Sequence, residues 1–255
     1  MKVAIIGSGN VATHLANALV SANVEVNEIW SYQYKNAKLL ADAIGAKAID
    51  PISAIDLSAD ICLIAIKDDH VAEIATQLKG FKGIVAHTSG AVDLTVFEGI
   101  SINYGVFYPL QTFSKSKDVS FETIPICLEA NNEDTLLNLK KLALKLSKTV
   151  VEVNSEKRRI LHLSAVFACN FTNHLYAMAE EILAEHQLDF ELIRPLILET
   201  AAKVQTALPI NVQTGPAVRN DEQTMKKHQQ LLLQQPQLLE IYKTLSESIK
   251  KTKSY

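Results

Sequence analysis

Val3-Ala4-Ile5-Ile6-Gly7-Ser8-Gly9-Asn10-Val11-Ala12 decides the reading of this chain. Four apolar residues suited to a buried strand run directly into a glycine turn, and a helical pattern, Val11–Ala22, follows without a gap. The spacing is GxGxxA. A first glycine permits the tight turn, a second lets backbone approach a ligand, and a small sixth residue lets helix and strand pack closely. The helix then presents free N–H groups and a partial positive charge to whatever lies in front of it, which suits a diphosphate. The motif alone is weak, but strand, turn and helix stand here in the order the mechanism needs.

Outward from that turn the first half alternates β-branched runs with helical patterns. Strands are predicted at Val3–Ile6, Val24–Trp30, Ile61–Ile66, Gly83–His87, Asn103–Phe107, Ile124–Glu129 and Thr149–Val153. The first four are near-continuous apolar runs, as parallel strands covered on both faces require. Helices are predicted at Val11–Ala22, Asn36–Ile44, Val71–Leu78 and Glu133–Leu146. This alternation implies an α/β fold with a doubly wound, mostly parallel sheet of the Rossmann type over residues 1–153.

From residue 154 to 255 the strands stop and an all-α domain is expected. Glu156 to His186 holds neither Gly nor Pro and reads as one helix about 45 Å long. A second helix spans about Phe190–Ala207, with Pro195 marking a kink or late start. Pro209, Gly215 and Pro216 make Leu208–Asn220 a loop. Asp221 is placed to cap a helix over Glu222–Leu233, and a last helix follows Pro236 to about Lys250.

Bulk properties exclude several classes. The 255 residues carry a net charge of −3, so no basic field attracts nucleic acid or anionic lipid, and the short Lys250-Lys251-Thr252-Lys253 tail reads as a frayed, solvated end. The opening apolar run stops at Gly7, too short for a secretion signal or a membrane span. Cys62, Cys127 and Cys169 lie far apart in apolar runs and read as buried free thiols of a cytoplasmic protein. No HExxH motif or His/Cys/acid cluster suggests a metal.

The candidate cofactor ligands are Gly7, Ser8, Gly9, Asn10 and Val11 at the turn, with Ile66 and Lys67 at the end of a later strand. At the end of the second strand, Trp30-Ser31-Tyr32-Gln33-Tyr34-Lys35 carries no acid for a ribose 2′-hydroxyl. Ser31 and Lys35 suit a 2′-phosphate, so NADP is the expected cofactor and NAD the alternative. Lys35 reads equally as a solvated charge in a helix's first turn. His87-Thr88-Ser89-Gly90 and Tyr108-Pro109-Leu110-Gln111-Thr112-Phe113 follow other strand ends, where α/β sheets gather ligands, and Ser89 is a candidate substrate ligand.

On the long helix, His162, Asn170 and Asn173 fall within an arc of about 80° at 100° per residue, with His174 at its edge. The rest of that helix is largely apolar, which predicts burial and a polar stripe facing a wet cleft. There the amides orient a carbonyl and the imidazole protonates the atom that gains negative character as hydride arrives. The structural alternative is that these groups satisfy one another or pair across a dimer interface. In Thr214-Gly215-Pro216-Ala217-Val218-Arg219-Asn220-Asp221, Arg219 is a candidate for a substrate carboxylate or phosphate.

These motifs carry a resemblance. GSGNVA, ADICLIAIKDD and the long helix after the sheet resemble the superfamily of pyrroline-5-carboxylate reductase, coenzyme F420-dependent NADP oxidoreductase and 6-phosphogluconate dehydrogenase. HTSGAV, YPLQTF, HLSAVFACNFTNHL and TGPAVRND more closely resemble a family of Rossmann-like oxidoreductases whose C-terminal domain has no assigned function. The resemblance implies NAD(P) binding, a helical domain like the C-terminal domain of 6-phosphogluconate dehydrogenase, and a homodimer built through the long helices. It supplies no substrate. Hydroxyacid dehydrogenases of the superfamily use a lysine one turn before the helix asparagine; this chain has Val166 there, before Asn170. Tyr32 stands where NADP-binding relatives carry arginine. The expected activity is hydride transfer to or from a small anionic metabolite. A non-catalytic dinucleotide-binding sensor is the alternative.

Overall fold

The computed structural model describes residues 1–252, so Lys253 of the lysine-rich tail lies outside the described residues. The chain divides into two compact units, Met1–Cys169 and Asn170 onward.

The first unit is built on one eight-stranded sheet. In chain order its elements are β1 (Lys2–Ile6), α1 (Asn10–Ser21), β2 (Glu25–Trp30), α2 (Tyr34–Ile44), β3 (Lys47–Ile49) and β4 (Ile61–Ile64). There follow α3 (Val71–Gln77), β5 (Ile84–His87), β6 (Tyr104–Pro109), β7 (Ile126–Ala130), α4 (Glu133–Leu146), β8 (Val150–Glu152) and α5 (Ser155–Ala165). The strand order is β3-β2-β1-β4-β5-β6-β7-β8. Six strands pair in parallel in the Rossmann order, β7 runs antiparallel to β6, and β8 is parallel to β7.

The doubly wound α/β fold is therefore as the apolar runs predict. Both faces of the sheet are covered. Ile5, Leu15, Leu19, Leu63 and Leu139 pack on one side, and Ile6, Ile64, Ile74 and Phe97 on the other. Strand order reverses between β1 and β4, and the glycine turn leaves β1 at that switch point, where open α/β sheets bind ligands. β3 was not predicted: three residues with only Ile49 buried give no apolar run to read.

In the second unit α6 (Thr172–Glu185), α7 (Arg194–Lys203), α8 (Glu222–Leu231) and α9 (Pro236–Lys251) make it helical, as expected. Pro195 produces a late start, because a 3₁₀ turn at Phe190–Leu192 precedes α7 and proline suits a first helical turn. Asp221 caps α8 as predicted, its side chain accepting from the Thr224 N–H at 3.1 Å.

Three expectations are corrected. The helix from 156 to 186 is not uniform, since Val166–Phe171 is a π-helical turn. Each i→i+5 ring holds one more residue than an α turn, so Asn170 and Asn173 do not keep the phase with His162 that a steady 100° step assigns. Nor is this helix buried: Ile160, Leu163 and Phe167 are 59%, 57% and 62% exposed, since a periodic pattern marks a face as apolar without fixing that it is enclosed. Cys169 shares that exposure, whereas Cys62 and Cys127 are buried. Third, the described part of the lysine tail is not frayed. Lys250 and Lys251 belong to α9, and Lys250 pairs with Glu222 at 2.8 Å and Glu247 at 3.2 Å.

Candidate active site at the switch point

A cleft of about 910 Å³ opens over the glycine turn, within the ~300–1,000 Å³ range of small-molecule and cofactor sites. Gly7, Ser8, Gly9, Asn10 and Val11 line one end. Gly7 is dictated by the protein itself: its φ is +132°, and a Cβ would overlap the Ala65 carbonyl. Gly9 is different. Its backbone is extended at φ −75°, and a Cβ would find nothing within 4 Å. The protein leaves that space open without needing it for its own packing, at the N-terminal end of α1 where helix N–H groups lack intrahelical partners. A diphosphate fits this cradle.

Next along the cleft come Ser31, Tyr32, Gln33 and Asn36 from the β2–α2 connection. The Ser31 and Ser8 hydroxyls are joined at 2.7 Å. Tyr32 is held edge-on by Trp30 and His70, with centroids 5.0 and 5.3 Å away. The β2–α2 residues that line the cleft include no carboxylate, although Glu73 lies near enough to help raise the Tyr32 phenol, after burial, and Asp68 lines the cleft farther along. Lys35 sits exposed in the first turn of α2 and is not among the lining residues. Ile66 and Lys67 do line the cleft, after β4.

Beyond them the wall is made by Thr88, Ser89, Gly90, Tyr108 and His162. Two of these are linked: Tyr108 Oη and His162 Nδ1 lie 3.0 Å apart, with the donor set by the imidazole tautomer. Burial pushes the Tyr108 phenol up to about 12, with the nearby Cys127 and Asp68 adding to the rise and Arg158 opposing it. A phenol of that acidity keeps its proton at neutral pH and is available as a hydrogen-bond or proton donor. His162 is fixed from below by Gly90, where a Cβ would come within 2.6 Å of Nδ1. Only glycine lets the ring lie so close. Ser89 is buried, and its hydroxyl oxygen accepts from the Ala91 and Val92 N–H groups at 3.0 Å, which leaves its O–H as the free donor.

Behind this wall lies a network that sequence reasoning missed. Arg158 is fully buried one turn before His162 on α5. Its Nη1 donates to the Ser89 and Val92 carbonyls at 3.1 and 2.7 Å, and its Nη2 to Glu129 Oε2 at 3.0 Å and Ser155 Oγ at 2.8 Å. Ser155 in turn donates to Glu129 through its N–H and hydroxyl, both at 2.8 Å. One arginine thus ties the β7 carboxylate, the start of α5 and the 89–92 loop together. His87, wholly buried beside it, accepts the Ser89 N–H on Nδ1 at 3.2 Å, so its proton sits on Nε2. Burial first and Arg158 second push its pKa down to about 3. The tyrosine was legible only as a strand-end wall; the arginine had no motif to mark it.

The remaining candidates belong to the second unit. Asn170, in the π turn, and Asn173, His174 and Arg219 are all exposed. Asn173 lines a groove of about 660 Å³ with Tyr176 and Arg194, whose guanidinium lies 5.0 Å over the Phe190 ring. His174 lines another of about 570 Å³ with Met178 and Gln235. Arg219 lies in the loop before α8 and contributes to holding the Asp221 carboxyl below its ordinary range, after the stronger bonds from Thr224. Among the described residues no cluster of three or more His, Cys, Asp or Glu side chains could hold a metal, and no helix is long and apolar enough to cross a membrane.

A crystal structure of a Bacteroides fragilis protein, provisionally named an NADP oxidoreductase, is 38% identical over 98% of both chains with a TM-score of 0.94. The chain belongs to that NADP oxidoreductase family. Its two parts match separate family models: residues 2–86 that of the coenzyme F420-dependent NADP oxidoreductases, and residues 124–249 a domain of unknown function, DUF2520. Two more distant structures share the fold. The 1-pyrroline-5-carboxylate reductase of Streptococcus pyogenes is 12% identical over 99% of both chains, TM-score 0.66. An imine reductase from Myxococcus stipitatus, solved with NADP+, is 14% identical over 98% of this chain and 92% of its own, TM-score 0.65. No curated protein matches the chain.

Proposed function

We propose that this member of the family is an NADP(H)-dependent oxidoreductase that transfers hydride to or from a C=O or C=N bond of a small anionic metabolite. The observation that carries the reading is the Tyr108–His162 pair in the same cleft as the glycine cradle. Bound there, the nicotinamide supplies or takes up the hydride. The residues do the rest. The turn at Gly7–Val11 seats the diphosphate, and Ser31 with its acid-free neighbours favours NADP over NAD. Lys35, exposed in the first turn of α2, is proposed as a further ligand of the 2′-phosphate by its charge and its place in the chain after Ser31.

Tyr108 Oη or His162 holds a proton for the atom that becomes negative as hydride arrives, and takes one up in the reverse direction. Ser89 offers its hydroxyl proton to the substrate. Asn170, Asn173, His174 and Arg219 are proposed as further substrate ligands by their chemistry, exposed donors suited to a carbonyl and an anionic group. The exposed apolar side chains Ile160, Leu163, Leu196 and Leu198 support a homodimer.

The test is consumption of NADPH against a panel of keto acids, aldehydes and imines. Turnover is expected, and His162→Ala and Tyr108→Phe each lower it about tenfold or more while nucleotide affinity changes little. Tight nucleotide binding with no turnover across a broad panel favours a sensor. Unchanged turnover in both variants removes the proton-donor role.

A further inference from the structure

Lys115 has no part in the site so far. It lies on the loop after β6, and its Nζ donates to the carbonyl of Ser8 at 2.8 Å, across 107 positions of sequence. Two more bonds tie the same loop to the same turn. Asn10 Nδ2 donates to the Phe113 carbonyl at 2.9 Å, and His14 Nε2 lies 2.8 Å from the Ser114 carbonyl. The Phe113 ring packs on His14 at 5.3 Å and on Phe121 at 5.7 Å. Residues 113–115 therefore form an anchored strap over the first turn of α1, and the strap delivers the ammonium to one place.

That place is a poor one for a cation alone. The first N–H groups of α1 already carry partial positive charge, and a cation beside a helix N-terminus is disfavoured by roughly 0.3–1 kcal/mol. The first turn of α1 holds no acidic residue. Among the described residues no carboxylate pairs with Lys115. Its partner is a neutral carbonyl, one residue before the Gly9 cradle that the protein leaves open. An anion in that cradle balances the charge that a neutral carbonyl cannot.

We propose that Lys115 is a ligand of the dinucleotide's diphosphate, reaching it from the strap and turning its ammonium from the Ser8 carbonyl to the phosphate oxygens. The inference rests on the dinucleotide reading of the cleft. It assigns Lys115 to the diphosphate because the lysine meets the backbone of the glycine turn; the turn adjoins the β2 end through the Ser8–Ser31 hydroxyl pair, so comparing NADPH with NADH separates the diphosphate from the 2′-phosphate.

Fluorescence titrations of NADPH and NADH at two salt concentrations test it, on the wild type, Lys115→Gln, Lys115→Arg and His14→Gln. Lys115→Gln is expected to weaken both nucleotides alike, by about tenfold, the worth of one charge-assisted contact, and to flatten the salt dependence. Lys115→Arg keeps most of the affinity. His14→Gln loosens the strap but keeps the charge, so its salt dependence stays that of the wild type. Lys115→Gln binding both nucleotides as the wild type does overturns the proposal, and so does a loss confined to NADPH, which moves the lysine to the 2′-phosphate. A wild type that binds neither nucleotide is a separate result: it removes the dinucleotide reading itself, and Lys115 with it.

Discussion

The two units of this protein use apolar residues in opposite ways. In the first, both faces of the sheet are sealed, and even an arginine and a histidine are wholly enclosed. In the second, the buried apolar residues among those described are Ala217, Met225 and Leu232, while Leu192, Leu196, Leu198 and Leu233 are each more than 60% exposed. So many exposed leucines are what the proposed homodimer would cover. The first unit is therefore where single substitutions should act on folding, and the second where they should act on association.

The largest effect belongs to Arg158. Replacing it with alanine removes the ion-pair partner of Glu129, which keeps only its bonds from Ser155, and leaves the Ser89 and Val92 carbonyls without their arginine donor. A loss of about 3–5 kcal/mol of stability is expected by denaturant unfolding, as for other broken buried pairs. A loss below about 1 kcal/mol would show that the first unit is less tightly organised than its geometry implies.

His87 gives a smaller, pH-dependent effect. Its folded pKa, about 3, lies below the ordinary histidine value of 6.5, so the fold favours the neutral ring. The stability this contributes is fully present above pH 6.5 and is lost as pH falls from 6.5 toward 3, by at most about 1.4 kcal/mol per pH unit. Denaturation midpoints of the wild type and His87→Gln across that window should converge as the pH drops. Parallel curves would deny the histidine this role.

The smallest effect on folding is expected in the second unit. Leu198→Ser, at a site 71% exposed, should change unfolding free energy by no more than about 0.5 kcal/mol. Sedimentation should nonetheless show weaker self-association. A large loss of stability in a species that is monomeric both before and after the change would break the contrast between the units.

The same contrast explains what was legible in the sequence. β1, β4 and β5 are continuous apolar runs because both faces of each strand are covered, and the helical pattern over Glu133–Leu146 matches α4 end to end, with Asn132 capping it by accepting from the Thr135 N–H. The Gly7–Val11 cradle was legible for a related reason: tight backbone geometry restricts which residues can stand there. Helix positions in the second unit were also readable, from Pro195, Asp221 and Pro236.

What was not readable was anything made by distant residues meeting. Tyr108 and His162 are 54 positions apart, Arg158 and Ser89 are 69, and no local period records either pairing. The π turn at Val166–Phe171 contains no Gly or Pro to announce it. Burial of the long helix was misjudged because periodicity reports that a face is apolar, not whether one chain alone covers it.

The central claim is that the open space over Gly9 is kept for a dinucleotide, and Gly9→Val tests it most directly. The backbone there accepts a side chain and nothing lies within 4 Å of its Cβ, so the variant should melt as the wild type does. Titration with NADPH should show one site per chain in the wild type and an affinity about a hundredfold lower in the variant, close to 2.7 kcal/mol. Equal affinity in the two proteins, or no binding by the wild type, would contradict the account.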